Sequence, residues 1–102
     1  MNINHYIESN SLIISLQGEL DEYSAGYTRK YLDKILNEMQ YINVILDLSD
    51  LEFMDSTGIG VLIGRYKTLK QKNKPIYIAN PNRTIEKIIN MSGIYEIMPK
   101  IS

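Results

Sequence analysis

The chain has 102 residues, 44% of them hydrophobic and 23% charged, with 11 Lys and Arg against 12 Asp and Glu. That is ordinary for one soluble α/β-sized domain spanning 1–102 and leaves little room for a second. The near-balanced charge excludes the basic excess of a nucleic-acid binder. The absence of cysteine excludes disulfides and thiolate metal sites.

In chain order, Ile3 to Ile7 reads as a first strand and Asn10-Ser11 as a turn. Leu12 to Leu16 reads as a second strand, and Gly18 to Glu22 as a loop. Tyr23 or Ser24 opens a helix, with Ser24 a suitable N-cap. Tyr27, Tyr31, Leu32, Ile35, Leu36 and Met39 recur on its apolar face. Asn43 to Leu48 is a near-continuous apolar strand, expected to be central and buried on both faces. A loop holding Leu51, Phe53 and Met54 leads to a second helix, from about Ser56 to Lys72. Ile76 to Ala79 forms another strand. Asn80-Pro81 starts a third helix, and Gly93 caps it. Ile97 and Met98 add a last strand or pack under the sheet. The first residues lack the basic start and long apolar run of a signal peptide. No apolar run approaches the ~20 residues of a membrane span. The expected location is the cytoplasm. Alternation of helix and strand predicts an α/β fold: one mixed β-sheet of four to five strands, covered by three or more helices.

The segment Phe53 to Lys67 carries the most information. It follows the C-terminal end of the Asn43–Leu48 strand, where functional groups of open α/β sheets collect. On a helical wheel, Ile59, Leu62, Ile63, Tyr66 and Leu69 are expected to face the sheet. Thr57, Gly60, Val61, Gly64, Lys67, Thr68 and Gln71 are expected to face outward. That outer face is small and nearly uncharged near its start. Gly60 and Gly64 each cost about 1 kcal/mol of helix propensity, and four residues apart they form a shallow notch. The plain alternative is that Asp55 or Ser56 only caps the helix.

Other chemistries fit less well. The glycines miss the dinucleotide spacing, and no Lys-Ser/Thr pair follows a glycine as in a phosphate loop. A serine nucleophile needs a base, and the only histidine is His5 in the first strand. Asp47, Asp50 and Asp55 read as solvated loop carboxylates and not as a metal site. No cofactor is expected.

Asp55-Ser56-Thr57-Gly58-Ile59-Gly60 resembles the Asp-Ser-Ser/Thr-Gly-hydrophobic-Gly phosphorylation motif of the STAS domain, the anti-sigma-factor antagonist family. Gly18-Glu19-Leu20-Asp21 resembles that family's loop between second strand and first helix. The resemblance extends over nearly the whole chain. Phe53 to Ser56, Gly64 to Lys67 and Met91-Ser92-Gly93 resemble the sporulation branch, antagonists of anti-sigma F. The general stress-response branch is the alternative. The resemblance implies a partner switch and no enzyme. The unphosphorylated protein binds an anti-sigma factor that is also a serine kinase, which frees the sigma factor. The kinase phosphorylates Ser56, and a serine phosphatase resets it. Neither nucleic acid nor a membrane is a direct partner. The expected partner surface joins Asp21, Glu22, Tyr23 and Ser24 to Asp55, Ser56, Thr57, Gly58, Gly60, Val61 and Gly64. Two other readings stand beside it: a small nucleotide-hydrolysing enzyme built on the Ser56 loop, and a STAS domain cut from a sulfate transporter.

Overall fold

The computed structural model describes residues 1–102. Strand β1 (Asn2–Glu8) turns through Ser9 and Asn10 into β2 (Ser11–Leu20). Both turn residues have positive φ, 50° and 68°, which matches a two-residue hairpin turn whose twist follows the strands. Helix α1 (Ala25–Glu38), β3 (Asn43–Asp47), β4 (Leu51–Met54), α2 (Ser56–Gln71), β5 (Ile76–Ala79) and α3 (Arg83–Ser92) follow, with a final 3₁₀ turn at Ile94–Glu96. The five-stranded sheet has the order β1-β2-β3-β5, with β4 pairing β2. Only β1 is antiparallel to its neighbour; β2, β3, β4 and β5 pair in parallel. This is the mixed sheet with three helices that the pattern predicts.

Three expectations about strands need correction. Gly18 to Leu20 belongs to β2 and not to a loop, and Leu51 to Met54 is a strand and not a loop. Each explains the other, because Gly18, Glu19 and Leu20 pair with Leu51, Phe53 and Met54 across a bulge. The pairing joins segments some thirty residues apart, so neither run shows it locally. Nor is β3 buried on both faces. Val44 and Leu46 are buried, whereas Asn43, Ile45 and Asp47 are half-exposed. Register explains the one-sidedness: Leu12, Ile14, Val44, Leu46, Ile76 and Ile78 share one face. That face meets Leu32, Ile35 and Leu36 of α1, Val61, Leu62 and Leu69 of α2, and Ile85 and Ile89 of α3 in a single core.

The third helix starts later than Pro81. Asn82 is its N-cap, and Oδ1 accepts from the Ile85 N–H at 2.9 Å. Its Nδ2 donates to the Leu51 carbonyl at 2.7 Å, which fastens α3 to β4. Gly93 closes α3 in the left-handed region, φ 77°. Beyond it Met98 is buried, and the last residues run along β5. Ile78 N–H donates to Pro99 O, Ile101 N–H to Ile78 O, and Asn80 N–H to Ser102 O.

That tail is held from the side by Glu86. Its Oε1 accepts from Lys100 Nζ at 2.7 Å and from Tyr95 Oη at 3.1 Å. The Lys100 and Tyr95 hydrogen bonds hold the Glu86 carboxyl below its ordinary pKa. Burial and the same carboxylate push Tyr95 up to about 12. A depressed carboxyl contributes fully above its unfolded pKa, and the contribution is lost as pH falls through the folded value. We expect amide-exchange protection at Ile78 and Asn80 to drop below about pH 4, near the ordinary carboxylate range. Glu86→Gln should remove that step. An unchanged pH profile in the variant would refute the assignment.

Candidate functional site

The site lies where β2 and β4 end and α1 and α2 begin. Asp55 sits between β4 and α2 in extended conformation and is the N-cap of α2. Its Oδ1 accepts from the Gly58 N–H at 2.9 Å, the ordinary helix-capping bond. Its Oδ2 accepts from the Glu22 N–H at 3.2 Å, 33 residues away. The Asp55 N–H in turn donates to the Leu20 carbonyl at 3.3 Å. One aspartate therefore caps α2 and ties it to the loop before α1.

The Asp21–Ser24 loop has its own hydrogen bonds. Asp21 Oδ1 accepts from the N–H groups of Tyr23 and Ser24, both at 3.0 Å. Ser24 occupies the cap position of α1, yet its hydroxyl makes no capping bond. It donates to the Glu19 carbonyl at 2.7 Å and accepts from the Asp21 N–H at 3.1 Å. The expected cap thus holds the loop instead of the helix. Tyr23, at the loop's tip, is 88% exposed.

Gly58 is buried, which its place in the expected surface did not anticipate. A Cβ there would lie 2.3 Å from the Leu20 carbonyl oxygen and 2.9 Å from side-chain carbons of Leu20 and Met54. Only glycine lets α2 seat this closely on the ends of β2 and β4. That contact also sets the rotation of the helix, which is turned by close to one residue from the expected wheel. Val61 therefore faces inward at 1% exposure, with Leu62 and Leu69, and is part of the core and not of any surface. Ile59, Ile63 and Tyr66 move to the flanks, half-buried. Ser56, Thr57 and Gly60 are exposed, and Gly64 is half-exposed. A Cβ at Gly60 or Gly64 would meet nothing within 4 Å, so neither glycine is demanded by the fold itself.

The structure thus brings Asp21, Glu22, Tyr23 and Ser24 together with Asp55, Ser56, Thr57 and Gly60 at one end of the sheet. Gly58 and Val61 lie beneath that surface. Two exposed aromatics escaped the sequence reading: Tyr27, which periodicity assigned to the α1 core, and Phe53. Tyr27 and Tyr23 flank a shallow cleft of about 630 Å³ that also meets Glu19 and Asp21. Periodicity cannot separate an exposed tyrosine from a buried one at the edge of an apolar stripe. Further along α2, Arg65 Nε meets Asp33 Oδ1 of α1 at 3.1 Å. Burial lowers the Arg65 pKa, opposed by Asp33 and reinforced by Arg29. Ser56 has no hydrogen-bonded base, and His5 is bound to Tyr31 Oη at 3.0 Å. No group of three or more His, Asp or Glu residues is placed to hold a metal ion. No helix is long and apolar enough to cross a membrane.

The site is thus an exposed serine at a glycine-seated helix start, next to an aspartate that ties the helix to the loop after the second strand. The chain belongs to the STAS family, whose model, described as "STAS domain", matches residues 2–102. It is 38% identical over 88 residues to an anti-sigma F factor antagonist of Paenibacillus polymyxa, covering 86% of this chain and 75% of that protein. It is 28% identical over 100 residues to an anti-sigma-B factor antagonist of Bacillus subtilis strain 168, covering 96% and 90%. Among solved structures it superposes on the anti-sigma factor antagonist SpoIIAA in its unphosphorylated form, with a TM-score of 0.81. That match has 24% identity over 99% of this chain and 89% of the other, and it supports the fold.

Because Asp55, and not Ser56, caps α2, the two positions should separate in a stability measurement. We expect Asp55→Ala to lose about 1–2 kcal/mol in urea denaturation. Ser56→Ala should stay within about 0.5 kcal/mol of wild type, as exposed substitutions usually do. Equal losses would contradict the assignment. Gly58→Ala should cost about 1–3 kcal/mol through overpacking against Leu20.

Proposed function

We propose that this protein is an anti-sigma-factor antagonist whose binding is switched off by phosphorylation of Ser56. The observation that carries the proposal is the setting of that hydroxyl. Ser56 is exposed at the first position of α2, beside exposed Thr57 and Gly60, with the Asp55 carboxylate already engaged by Gly58 and Glu22. The partner is an anti-sigma factor that is also a serine kinase. Binding it releases the sigma factor, and a serine phosphatase restores the unphosphorylated form. The binding surface joins Asp21, Glu22, Tyr23 and Ser24 to Asp55, Ser56, Thr57, Gly60 and Gly64. Identity of 38% to an anti-sigma F factor antagonist, against 28% to an anti-sigma-B factor antagonist, supports a role in sporulation.

Physical magnitudes explain how such a switch would work. A phosphoryl group adds about −1.5 to −2 charges. An exposed helix N-terminus welcomes an anion by typically 0.3–1 kcal/mol, and Asp55 alongside offsets part of that. Neither effect is large enough to remodel a core whose net stability is of order 5–15 kcal/mol. At an interface the balance reverses. A charge buried there without a partner costs about 2–5 kcal/mol, which is roughly 30-fold or more in affinity. The signal is then a change of local charge on a fixed surface. The binding partner, and not the domain, reads it.

The experiment is phosphopeptide mapping after incubation with the kinase and ATP, combined with affinity measurement. We expect label on Ser56, none in Ser56→Ala, and retained binding by that variant. Ser56→Asp should bind at least about 30-fold more weakly with a melting temperature within a few degrees of wild type. Label confined to Thr57, or ATP turnover by the isolated protein, would overturn the proposal. The glycine notch gives a separate check. Gly60→Ala meets no atom within the domain, so it should raise stability by up to about 1 kcal/mol. It should also weaken the partner complex, because a methyl group then fills the notch. Unaltered affinity would remove Gly60 from the binding surface.

A further inference from the structure

The fold closes all its sheet edges except one. The β5 edge is occupied by the chain's own tail, through the Ile78, Asn80 and Ile101 N–H groups. The β4 edge lies against α3, with Asn82 on the Leu51 carbonyl. Strand β1 has β2 on one side and no strand on the other. It is seven residues long and contains no Lys, no Pro and no bulge, and its one carboxylate, Glu8, stands at its very end.

The open face of the sheet supplies a second observation. Tyr6 pairs with Ile13, Ile13 with Ile45, and Ile45 with Tyr77. These four side chains form a Tyr-Ile-Ile-Tyr row across all of β1, β2, β3 and β5. None belongs to the core or packs against it, and Tyr6 at the open edge is 53% exposed. The row stops at the one edge that lacks a neighbour.

We infer that β1 pairs antiparallel with β1 of a second copy, about a twofold axis at Tyr6, to make a weak symmetric dimer. A second copy fits this edge for three reasons. Two-fold antiparallel pairing is self-complementary, so one strand sequence serves both sides. With Tyr6 opposite Tyr6, Ile7 faces His5 and Glu8 faces Asn4, so no like charges are opposed. The apolar row then continues unbroken from one sheet into the next, eight residues long, with the tyrosines paired at the axis. Only Asn4 to Glu8 take part, which places the contact at the small end of known interfaces and makes a transient dimer the expectation. The antiparallel geometry points the Ser56 ends of the two copies in opposite directions, so both stay accessible.

The test is sedimentation equilibrium of the whole protein up to about 1 mM, near the weakest association such an edge supports, with Tyr6→Lys beside it. Wild type should shift from monomer to dimer with concentration. The Tyr6→Lys variant should remain monomeric with an unchanged melting curve, because Tyr6 contributes nothing to the core. As the protein has no cysteine, single-thiol variants report the register directly. Residues directly opposite in an antiparallel pair have Cα atoms about 4.5–5.5 Å apart, within disulfide reach. The Tyr6→Cys variant should cross-link at least about tenfold faster than the Ser49→Cys variant, whose exposed thiol lies in the β3–β4 turn, because pairing raises the local thiol concentration. Wild type that is monomeric throughout, association unaffected by Tyr6→Lys, or equal cross-linking of the two variants would each overturn the inference.

Discussion

The carboxylate of Asp55 is the interaction on which the functional end of this molecule depends. One oxygen terminates α2 and the other reaches the loop before α1, so two elements far apart in sequence share one fixed point. The joint works only because Gly58, the residue that donates the capping bond, also has no Cβ to hold α2 away from Leu20. Capping, loop closure and helix seating are therefore one constraint. It leaves Ser56 facing outward at a helix N-terminus whose cap is already filled.

Under the proposed switch, this arrangement suits a surface that changes its charge without changing its shape. The aspartate beside Ser56 has both oxygens committed to main-chain donors, so a new anion next door meets a cap that is already filled. Energies at an exposed helix start are of order 1 kcal/mol, small beside the packing beneath it. Val61, Leu62 and Met54 lie under the site as core, which makes the exposed residues a thin layer over a rigid support. Flexibility is not needed for such a site to discriminate between two states.

Covering only one face of the sheet shapes the rest of the molecule. All three helices feed the same core, and the opposite face is left to half-exposed residues such as Ile13, Ile45 and Tyr77. The tail is spent on the β5 edge, where Glu86, Tyr95 and Lys100 hold it, and β1 is left open. The proposed self-association edge and the proposed partner surface thus lie in different regions of a very small domain.

By itself the sequence determined the order of the elements other than β4, the α/β class with one mixed sheet, the start of α2 near Ser56 and the family to which its motif belongs. Those features are written locally, in periodicity, in breakers such as Pro75 and Gly93, and in the run Asp55 to Gly60. Only the tertiary structure decided what depends on distant residues. Strand β4 and the end of β2 exist because they pair with each other, and neither is strongly patterned alone. The rotation of α2 was set by Gly58 against Leu20, which turned Val61 inward and brought Ile59 to the flank. Asp55 was legible as a helix cap, but its second bond to Glu22 required the loop to be folded against it. A wheel drawn from hydrophobicity finds that a helix has a buried side. Close contact with a particular backbone atom decides which residues occupy it.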